Sequence, residues 1–231
     1  MYNILICDDE KDIVSALKIY LSAEGYNTLC AYNGNEALDI IKTQEVHLAL
    51  MDIMMPECDG ITAMTKLREF SNLPVILLTA KGEDTDKILG LNVGADDYIT
   101  KPFNPVEVIA RVRSNLRRYM QLGGNKHKAD GNVYIIGGIE LNDNAKQVTV
   151  DGEEVSLTPT EFQILKLLMQ NRGTVLSPKD IYRYVWNDDA TYGAESTVAV
   201  HIRHIREKIE INPAEPRYLK VVWAHGYKIE G

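Results

Sequence analysis

The sequence has few cysteines and no long apolar run, and both absences limit the class of protein. Three cysteines, Cys7, Cys30 and Cys58, lie far apart without a C-x-x-C pair, so we expect neither a disulfide framework nor a cysteine zinc site. No apolar segment approaches the roughly 18 residues of a membrane span. Met1 leads directly into an apolar stretch without a basic leader, which predicts a cytoplasmic protein with no membrane partner.

Basic charge is also scarce. The chain carries 25 Lys and Arg against 33 Asp and Glu, a net charge of −8. Residues 1–120 contain 12 basic and 18 acidic side chains, and the remainder contains 13 and 15. Because neither part is basic overall, any contact with nucleic acid has to come from a local patch. The length of 231 residues and the hydrophobic share of 45% are consistent with one large or two ordinary packed domains.

The first 120 residues alternate between apolar strand candidates and helical stripes. The predicted strands are Asn3–Cys7, Thr28–Tyr32, Leu48–Asp52, Pro74–Thr79 and Asp97–Thr100. Helices are predicted after each of them, including Glu36–Thr43, Asp84–Val93 and one that begins at Pro105. Five such strand–helix units predict an α/β domain, a doubly wound, flavodoxin-like fold with a five-stranded parallel sheet.

The pattern changes after residue 120. Residues 121–132 are polar and glycine-rich, which predicts a linker. Residues 133–231 then begin with short β-prone segments over Val133–Val155. Helix starts follow at Thr158 and Ser177, and a third helix is predicted over Glu195–Lys208. With two short strands over Tyr218–Ile229, this order predicts an α+β winged helix-turn-helix domain.

Charged and hydroxyl side chains follow the predicted parallel strands. Asp8 and Asp9 come after the first strand, Asp52 ends the third, Thr79 ends the fourth and Lys101 follows the fifth. Parallel strands present their ligand sites at the carboxyl edge, so these groups should meet there. Carboxylates this close repel unless a cation joins them, and oxygen ligands suit Mg²⁺. A carboxylate nucleophile beside a lysine and a hydroxyl predicts a site at which Asp52 accepts a phosphoryl group.

With Ala80 and Pro102, these residues resemble the receiver domain of two-component response regulators. The resemblance implies that a sensor histidine kinase is a partner and phosphorylates Asp52. It implies that Asp9, Asp52 and the Met54 carbonyl hold Mg²⁺, with Asp8 acting through water. It also implies that Thr79 and Tyr98 act together as a switch and that the Lys101–Pro102 bond is cis.

Other interpretations of the same residues remain open. Asp8, Asp9 and Glu10 could be an ordinary solvated helix start, Thr79 an ordinary strand residue and Tyr98 a half-buried aromatic. A metal-dependent aspartyl phosphatase with a docking domain is the enzymatic alternative. Phosphatases that resemble haloacid dehalogenases need an aspartate two residues after the nucleophile, and Met54 stands there. We therefore expect a regulator rather than an enzyme.

Glu107 and Arg111 lie four residues apart on the helix that begins at Pro105, and an ordinary surface pair is the simplest interpretation. Together with other charges, however, they resemble the dimer face of the OmpR/PhoB subfamily. That resemblance implies a homodimer on phosphorylation, with ion pairs across a two-fold axis. The pairs are Lys87 with Glu107, Asp97 with Arg111, and Asp96 with Arg118.

The third helix of the second domain has an apolar stripe formed by Val198, Ile202, Ile205 and Ile209. Val200 and Arg203 are predicted on the opposite side, flanked by Ala199 and His204. An outward valine beside an arginine is typical of a helix that enters the major groove. A single exposed valine also occurs on ordinary helices.

Leu157–Phe162, Val198–Arg206 and Gly226-Tyr227 resemble the OmpR/PhoB winged helix. This implies that Ala199, Val200 and His204 contact bases of double-stranded DNA. The implied phosphate contacts are Thr197, His201, Arg203, Arg206 and Tyr227. The wing differs from the family pattern, because Trp223-Ala224 replaces a common Arg-Gly. A winged helix that contacts RNA polymerase instead of DNA is an alternative.

The third helix of the second domain and the wing that contains Trp223 most resemble those of VanR-type regulators of glycopeptide resistance. The two resemblances together imply a response regulator that acts as a transcription factor.

Overall fold

The computed structural model describes residues 1–80, 93–123, 133–187 and 193–231. The chain divides into two compact units, Met1–Tyr119 and Met120–Gly231. None of the described helices is long and apolar enough to cross a membrane.

The first unit is built on a five-stranded parallel sheet. Its strands are β1 (Asn3–Cys7), β2 (Asn27–Ala31), β3 (Leu48–Asp52), β4 (Val75–Ala80) and β5 (Asp97–Lys101). The spatial order β2-β1-β3-β4-β5 confirms the doubly wound, flavodoxin-like prediction. All five residues of β3 are buried, as expected for a central strand covered on both faces.

The described helices of this unit are α1 (Lys11–Ala23), α2 (Gly34–Thr43), α3 (Gly60–Arg68) and α4 (Pro105–Gly123). Helix α4 continues through residues 121–123, the first three residues of the predicted linker. The rest of that linker and the predicted helix Asp84–Val93, except for Val93, lie outside the described residues. Gly60 begins α3 where a side chain cannot fit, because a Cβ would lie 2.1 Å from the Asp52 carbonyl oxygen. The close approach fixes the loop that follows Asp52.

The second unit begins with a four-stranded antiparallel sheet. Its strands are β6 (Val133–Ile136), β7 (Ile139–Asn142), β8 (Gln147–Val150) and β9 (Glu153–Glu154), in that spatial order. The alternating burial of β7 is the pattern of a sheet with one face packed on the core.

Three helices follow, α5 (Pro159–Gln170), α6 (Pro178–Trp186) and α7 (Ala194–Ile209). Helix α5 begins with a complete capping box, in which Thr158 accepts from the Glu161 backbone and the Glu161 carboxylate accepts from the Thr158 backbone. Ser177 caps α6 in the predicted way. The apolar stripe of α7 packs into a core that includes Phe162, Leu165 and Trp186.

The chain ends in an antiparallel hairpin of β10 (Leu219–Val222) and β11 (Gly226–Ile229). Leu176, just before α6, pairs with Tyr227 of the hairpin through two backbone hydrogen bonds of 2.9 and 3.0 Å. Gly226 has a φ of +139° and its missing Cβ would lie 2.1 Å from the Leu176 carbonyl oxygen. Only glycine therefore permits this close approach of the hairpin. The order of sheet, three helices and hairpin is the predicted winged helix-turn-helix.

Candidate functional site

The carboxyl edge of the parallel sheet brings Asp8, Asp52 and Lys101 together. Lys101 Nζ lies 2.8 Å from Asp8 Oδ2 and 2.8 Å from Asp52 Oδ1. Glu10 Oε1 is a third carboxylate oxygen, 3.7 Å from the same nitrogen. The strand register explains why these side chains lie close together. Cys7 pairs with Met51 and Asp52 pairs with Leu78, so the carboxyl ends of β1, β3 and β4 are aligned. The ends of β4 and β5 are aligned as well, since Ala80 pairs with Lys101.

Burial dominates the electrostatics of this site. Burial raises the pKa of Asp52 above its usual 3.8, although Lys101 and the Met54 backbone N–H, 3.1 Å from Oδ2, oppose the rise. Burial alone would lower the pKa of Lys101, but its hydrogen bonds with Asp52 and Asp8 outweigh that effect and raise it. The lysine is therefore held charged, as the counter-ion of the buried carboxylates.

The same edge has the donor atoms of a cation site. One carboxylate oxygen each from Asp8, Asp9 and Asp52 lies within 4.8 Å of the others. Asp8 and Asp52 are buried and Asp9 is exposed, which is a hard, all-oxygen donor set of the kind that Mg²⁺ prefers. An open pocket of about 310 Å³ adjoins them. Its lining residues are Asp9, Glu10, Asp52, Ile53, Met54, Leu78, Thr79, Ala80 and Lys101.

The predicted switch residues lie on adjacent strands. Thr79 is buried at the end of β4, and its hydroxyl lies 3.4 Å from the Ala80 carbonyl oxygen. Tyr98 of β5 is half-buried and pairs in register with Leu77, two residues before Thr79 on the same face of the sheet. The Lys101–Pro102 bond is cis, as the resemblance implies. The contact between Glu10 and Lys101 was not predicted from the sequence.

The charges predicted for the dimer face are mostly engaged within one chain. Arg111 Nη1 lies 2.9 Å from Asp97 Oδ1, and Arg111 Nε lies 3.0 Å from Glu107 Oε1. Arg118 is buried and donates to Asn115 Oδ1 at 2.6 Å. Lys87 lies outside the described residues.

Asp96, which the resemblance pairs with Arg118 across the dimer, is completely buried within this chain, directly before β5. Its Oδ2 accepts from Arg68 Nη2 at 3.0 Å and from the Val75 backbone N–H at 3.0 Å. Arg68 also donates to the backbone carbonyls of Ser71, Leu73 and Gly94. A buried charge requires a partner, but the spacing of 28 residues does not reveal which residue supplies it.

Helix α7 presents a narrower outer face than its sequence predicts. Ala199 and Arg203 are exposed, and Arg203 Nε lies 2.8 Å from Glu207 Oε1. The prediction that Val200 projects outward is wrong, because the side chain is only 8% exposed. Thr197, His201 and His204 are buried too, which argues against base or phosphate contacts by their side chains. The reason is that α5 and α6 both pack against α7, so its buried face is wider than the four-residue stripe.

The remaining predicted DNA contacts lie near the hairpin. Trp223 is 89% exposed in the turn between β10 and β11. Arg206 is partly buried and donates through Nε and Nη2 to the Leu219 carbonyl oxygen, at 3.0 and 2.8 Å. Tyr227 is half-buried beside the Leu176 bridge. Arg206 therefore joins α7 to the first strand of the wing.

Comparisons with known proteins agree with this architecture. Residues 4–113 match the family described as "Response regulator receiver domain", and residues 152–229 match "Transcriptional regulatory protein, C terminal". The chain is 44% identical over 228 residues to the regulatory protein VanR of Enterococcus faecium, covering 99% of this chain and 98% of that protein. It is 40% identical to VanRc of Enterococcus gallinarum, with the same coverage.

A solved structure shares both parts. The response regulator DrrB of Thermotoga maritima, described as an OmpR/PhoB homologue, matches over 100% of both chains with 29% identity and a TM-score of 0.52. The order of a receiver sheet followed by a winged helix is thus common to the structure and to its relatives. The chain belongs to the VanR-like response regulators, in which a receiver domain precedes an OmpR/PhoB-type DNA-binding domain that regulates transcription.

Proposed function

We propose that a sensor histidine kinase phosphorylates this protein on Asp52 in the cytoplasm and that the phosphorylated form binds promoter DNA as a homodimer. The observation that carries the proposal is the convergence of Asp8, Asp52 and Lys101, with both carboxylates 2.8 Å from one ammonium nitrogen. A carboxylate held beside a fixed cation is prepared to attack the phosphorus atom of the kinase's phosphohistidine, which forms an acyl phosphate as the P–N bond breaks and the imidazole leaves. Asp52 is the group that becomes covalently modified.

Mg²⁺ is the cofactor that we propose for this step. Asp8, Asp9 and Asp52 would hold it together with the Met54 carbonyl, and the ion would neutralise charge on the incoming phosphoryl group. Lys101 would move from its carboxylate partners to a phosphoryl oxygen, because a new anion competes for the ammonium. The Thr79 hydroxyl is the second donor, and Tyr98 on the next strand would follow its movement.

Dimerisation is proposed to use the face of α4 that carries Glu107 and Arg111. In the free chain Arg111 pairs with Asp97 and Glu107. A shift of β5 and α4 on phosphorylation would allow these ion pairs to exchange across a two-fold axis. Asp96 is not part of this proposal, because Arg68 and Val75 bind it inside the unit.

The DNA-reading surface is proposed to be the exposed side of α7 with the wing. Ala199 and Arg203 would meet the major groove, and Trp223, Arg206 and Tyr227 would lie along the backbone or the adjacent groove. Two linked winged helices on paired half-sites would bind more tightly than one, through their effective concentration. The similarity to VanR extends the proposal to promoters of glycopeptide-resistance genes, and RNA polymerase is a further proposed partner.

Sedimentation of the full chain with and without phosphorylation tests this proposal. Wild type and Asp52→Ala are compared in Mg²⁺ with acetyl phosphate, and intact mass reports the added phosphoryl group. We expect the mass increase and a monomer-to-dimer shift in wild type alone. An Asp52→Ala variant that still gains the phosphoryl group would exclude Asp52 as the acceptor. A phosphorylated wild type that remains monomeric would exclude the dimer face.

A further inference from the structure

A second cluster of metal-ligating side chains lies in the DNA-binding unit, far along the chain from the acidic site, our name for Asp8, Asp9 and Asp52 with Lys101. Glu161 of α5 and His201 and His204 of α7 form what we term the His-His-Glu cluster. One ligand atom from each residue lies within 4.8 Å of the others. The residues are 2%, 1% and 8% exposed, so they are not a chance grouping of surface side chains.

The helix geometry turns both imidazoles of the cluster towards α5. His201 and His204 are three residues apart, which places them on the same side of α7. Their ring centroids are 6.5 Å apart and the rings are nearly perpendicular, at 88°. Two rings arranged in this way can direct one nitrogen each at a common point. Glu161, from the neighbouring helix, completes the cluster.

The Glu161 carboxylate is oriented by its other contacts. Its Oε2 accepts from the Thr158 backbone N–H at 2.8 Å and from Lys208 Nζ at 2.6 Å. Its Oε1 lies 3.8 Å from His204 Nδ1, too far for a hydrogen bond. Two ligands of a single ion can lie at most about 4 Å apart when each is roughly 2 Å from the metal, and this distance falls within that limit. Thr158 and Lys208 would therefore act as the outer partners that fix a metal-ligating carboxylate.

We propose that the His-His-Glu cluster binds a divalent transition-metal ion of the Zn²⁺ type. Two imidazoles and one carboxylate form a donor set that zinc accepts with one further position left for water. The same set is unsuited to Mg²⁺, which prefers oxygen ligands, so the two clusters of this protein would select different ions. A bound ion would join the inner side of α7 to the start of α5. It would thereby fix the helix whose outer side carries Arg203.

Cobalt absorption on the full chain tests the proposal. Co²⁺ is added to wild type in excess Mg²⁺, which occupies the all-oxygen site of the receiver, and Zn²⁺ is then used to displace it. We expect one equivalent of Co²⁺ with the intense visible bands of a four- or five-coordinate, nitrogen-ligated ion. Absence of these bands in wild type would overturn the proposal and leave the cluster as a buried hydrogen-bonding group.

Two histidine variants locate the ion. His204→Gln should reduce Co²⁺ affinity at least tenfold, since it removes one of the three ligands. His225→Gln is the matched control, because His225 is exposed in the wing turn, and it should bind Co²⁺ like wild type. Bands that survive in His204→Gln, or that disappear in His225→Gln, would place the metal elsewhere and refute the cluster.

A measurement on wild type alone keeps the test valid if His204→Gln does not fold. Long-range ¹H–¹⁵N spectra of the imidazoles can follow all five histidines of the chain during Zn²⁺ addition. Two rings should shift together at one equivalent, and the fluorescence of Trp186 should change with them, because its ring lies 5.5 Å from that of His201. Shifts of other rings, without a change at Trp186, would refute the proposal.

Discussion

The acidic site and the outer side of α7 use charge in opposite ways. At the acidic site the charges are buried and already paired, with Lys101 between Asp8 and Asp52. On α7 the charge is exposed, and Arg203 pairs with Glu207 on the next turn. Removing one partner of a buried ion pair leaves an uncompensated buried charge and destabilises its unit, whereas removing one partner of an exposed pair costs little. Substitutions at the first site should therefore change folding, and substitutions on the second surface should change binding.

Lys101→Met should produce the largest effect, because it leaves Asp8 and Asp52 buried without their counter-ion. We expect the free energy of unfolding of the receiver unit to fall by about 3 kcal/mol without Mg²⁺. Mg²⁺ should restore part of the loss, since the ion supplies the missing positive charge. Hydrogen exchange of residues 1–119, with and without Mg²⁺, measures both effects.

Lys18→Met is the control for Lys101→Met, because Lys18 is exposed on α1. Its effect should stay within about 0.5 kcal/mol. Equal stability of the two variants would mean that Lys101 is not a structural counter-ion, and the contrast between the two regions would fail.

Arg203→Ala should weaken promoter binding by about 1–3 kcal/mol, or roughly fivefold to 150-fold, while the unit remains folded. Fluorescence anisotropy with labelled promoter DNA at fixed salt measures the change. Glu207→Gln is the matched variant, because it releases Arg203 from its ion pair and should bind DNA at least as tightly as wild type. If Arg203→Ala lowers the stability and leaves the affinity unchanged, then Arg203 belongs to the fold and not to the DNA-reading surface.

Val200→Ala tests how far the buried side of α7 extends. Because Val200 is almost fully buried, we expect a loss of about 1–2 kcal/mol in the free energy of unfolding. Urea denaturation followed by tryptophan fluorescence reports this unit alone, since both tryptophans, Trp186 and Trp223, lie in it. Ala199→Ser, on the exposed neighbour, should change stability less. Unchanged stability with altered promoter preference in Val200→Ala would instead make Val200 a base-contacting residue.

The titration of Asp52 should show the smallest effect on stability. Since burial raises its pKa, the ¹³C carboxyl signal of metal-free protein should titrate above 3.8. Folded protein then holds the proton at pH values where the unfolded chain has released it. The contribution of Asp52 to stability therefore falls as the pH rises through the interval between the two pKa values.

Asp59 is the internal comparison for this titration. Burial would raise its pKa, but hydrogen bonds from Thr62 outweigh that effect and lower it. Its signal should titrate below 3.8, and Mg²⁺ should shift the Asp52 signal while leaving the Asp59 signal unchanged. An Asp52 signal that titrates below that of Asp59 would contradict the account of its burial.

Most of the receiver could be predicted from the sequence because its strands are short apolar runs whose ends carry the reactive groups. Asn3–Cys7 and Leu48–Asp52 were predicted with the bounds that the structure has. The burial of Asp96 could not be predicted, because a charged residue before a strand usually faces water. Its partner, Arg68, is the last residue of α3, and only the tertiary structure brings the two together.

The winged helix was less predictable in detail than in outline. Its capping box and its order of elements follow from local patterns around Thr158 and Ser177. The width of the buried side of α7 does not follow from local patterns, because it depends on α5 and α6, which pack against it from different directions. His201 and His204 are polar, so the apolar periodicity carried no sign that both are interior residues.

The pairing of Leu176 with Tyr227 restricts how the length of this chain can vary. The turn between α5 and α6 is hydrogen-bonded to the hairpin at Leu176 and again at Gly173, whose N–H donates to the Ile229 carbonyl oxygen at 2.9 Å. An inserted residue in this turn would shift the pairing by one position and turn side chains to the opposite face of the hairpin. The turn from β10 to β11 is instead closed within the hairpin, where the His225 backbone N–H donates to the Val222 carbonyl oxygen at 2.9 Å. Natural or engineered length variation should therefore accumulate at Trp223 and its neighbours and be absent between Gly173 and Leu176.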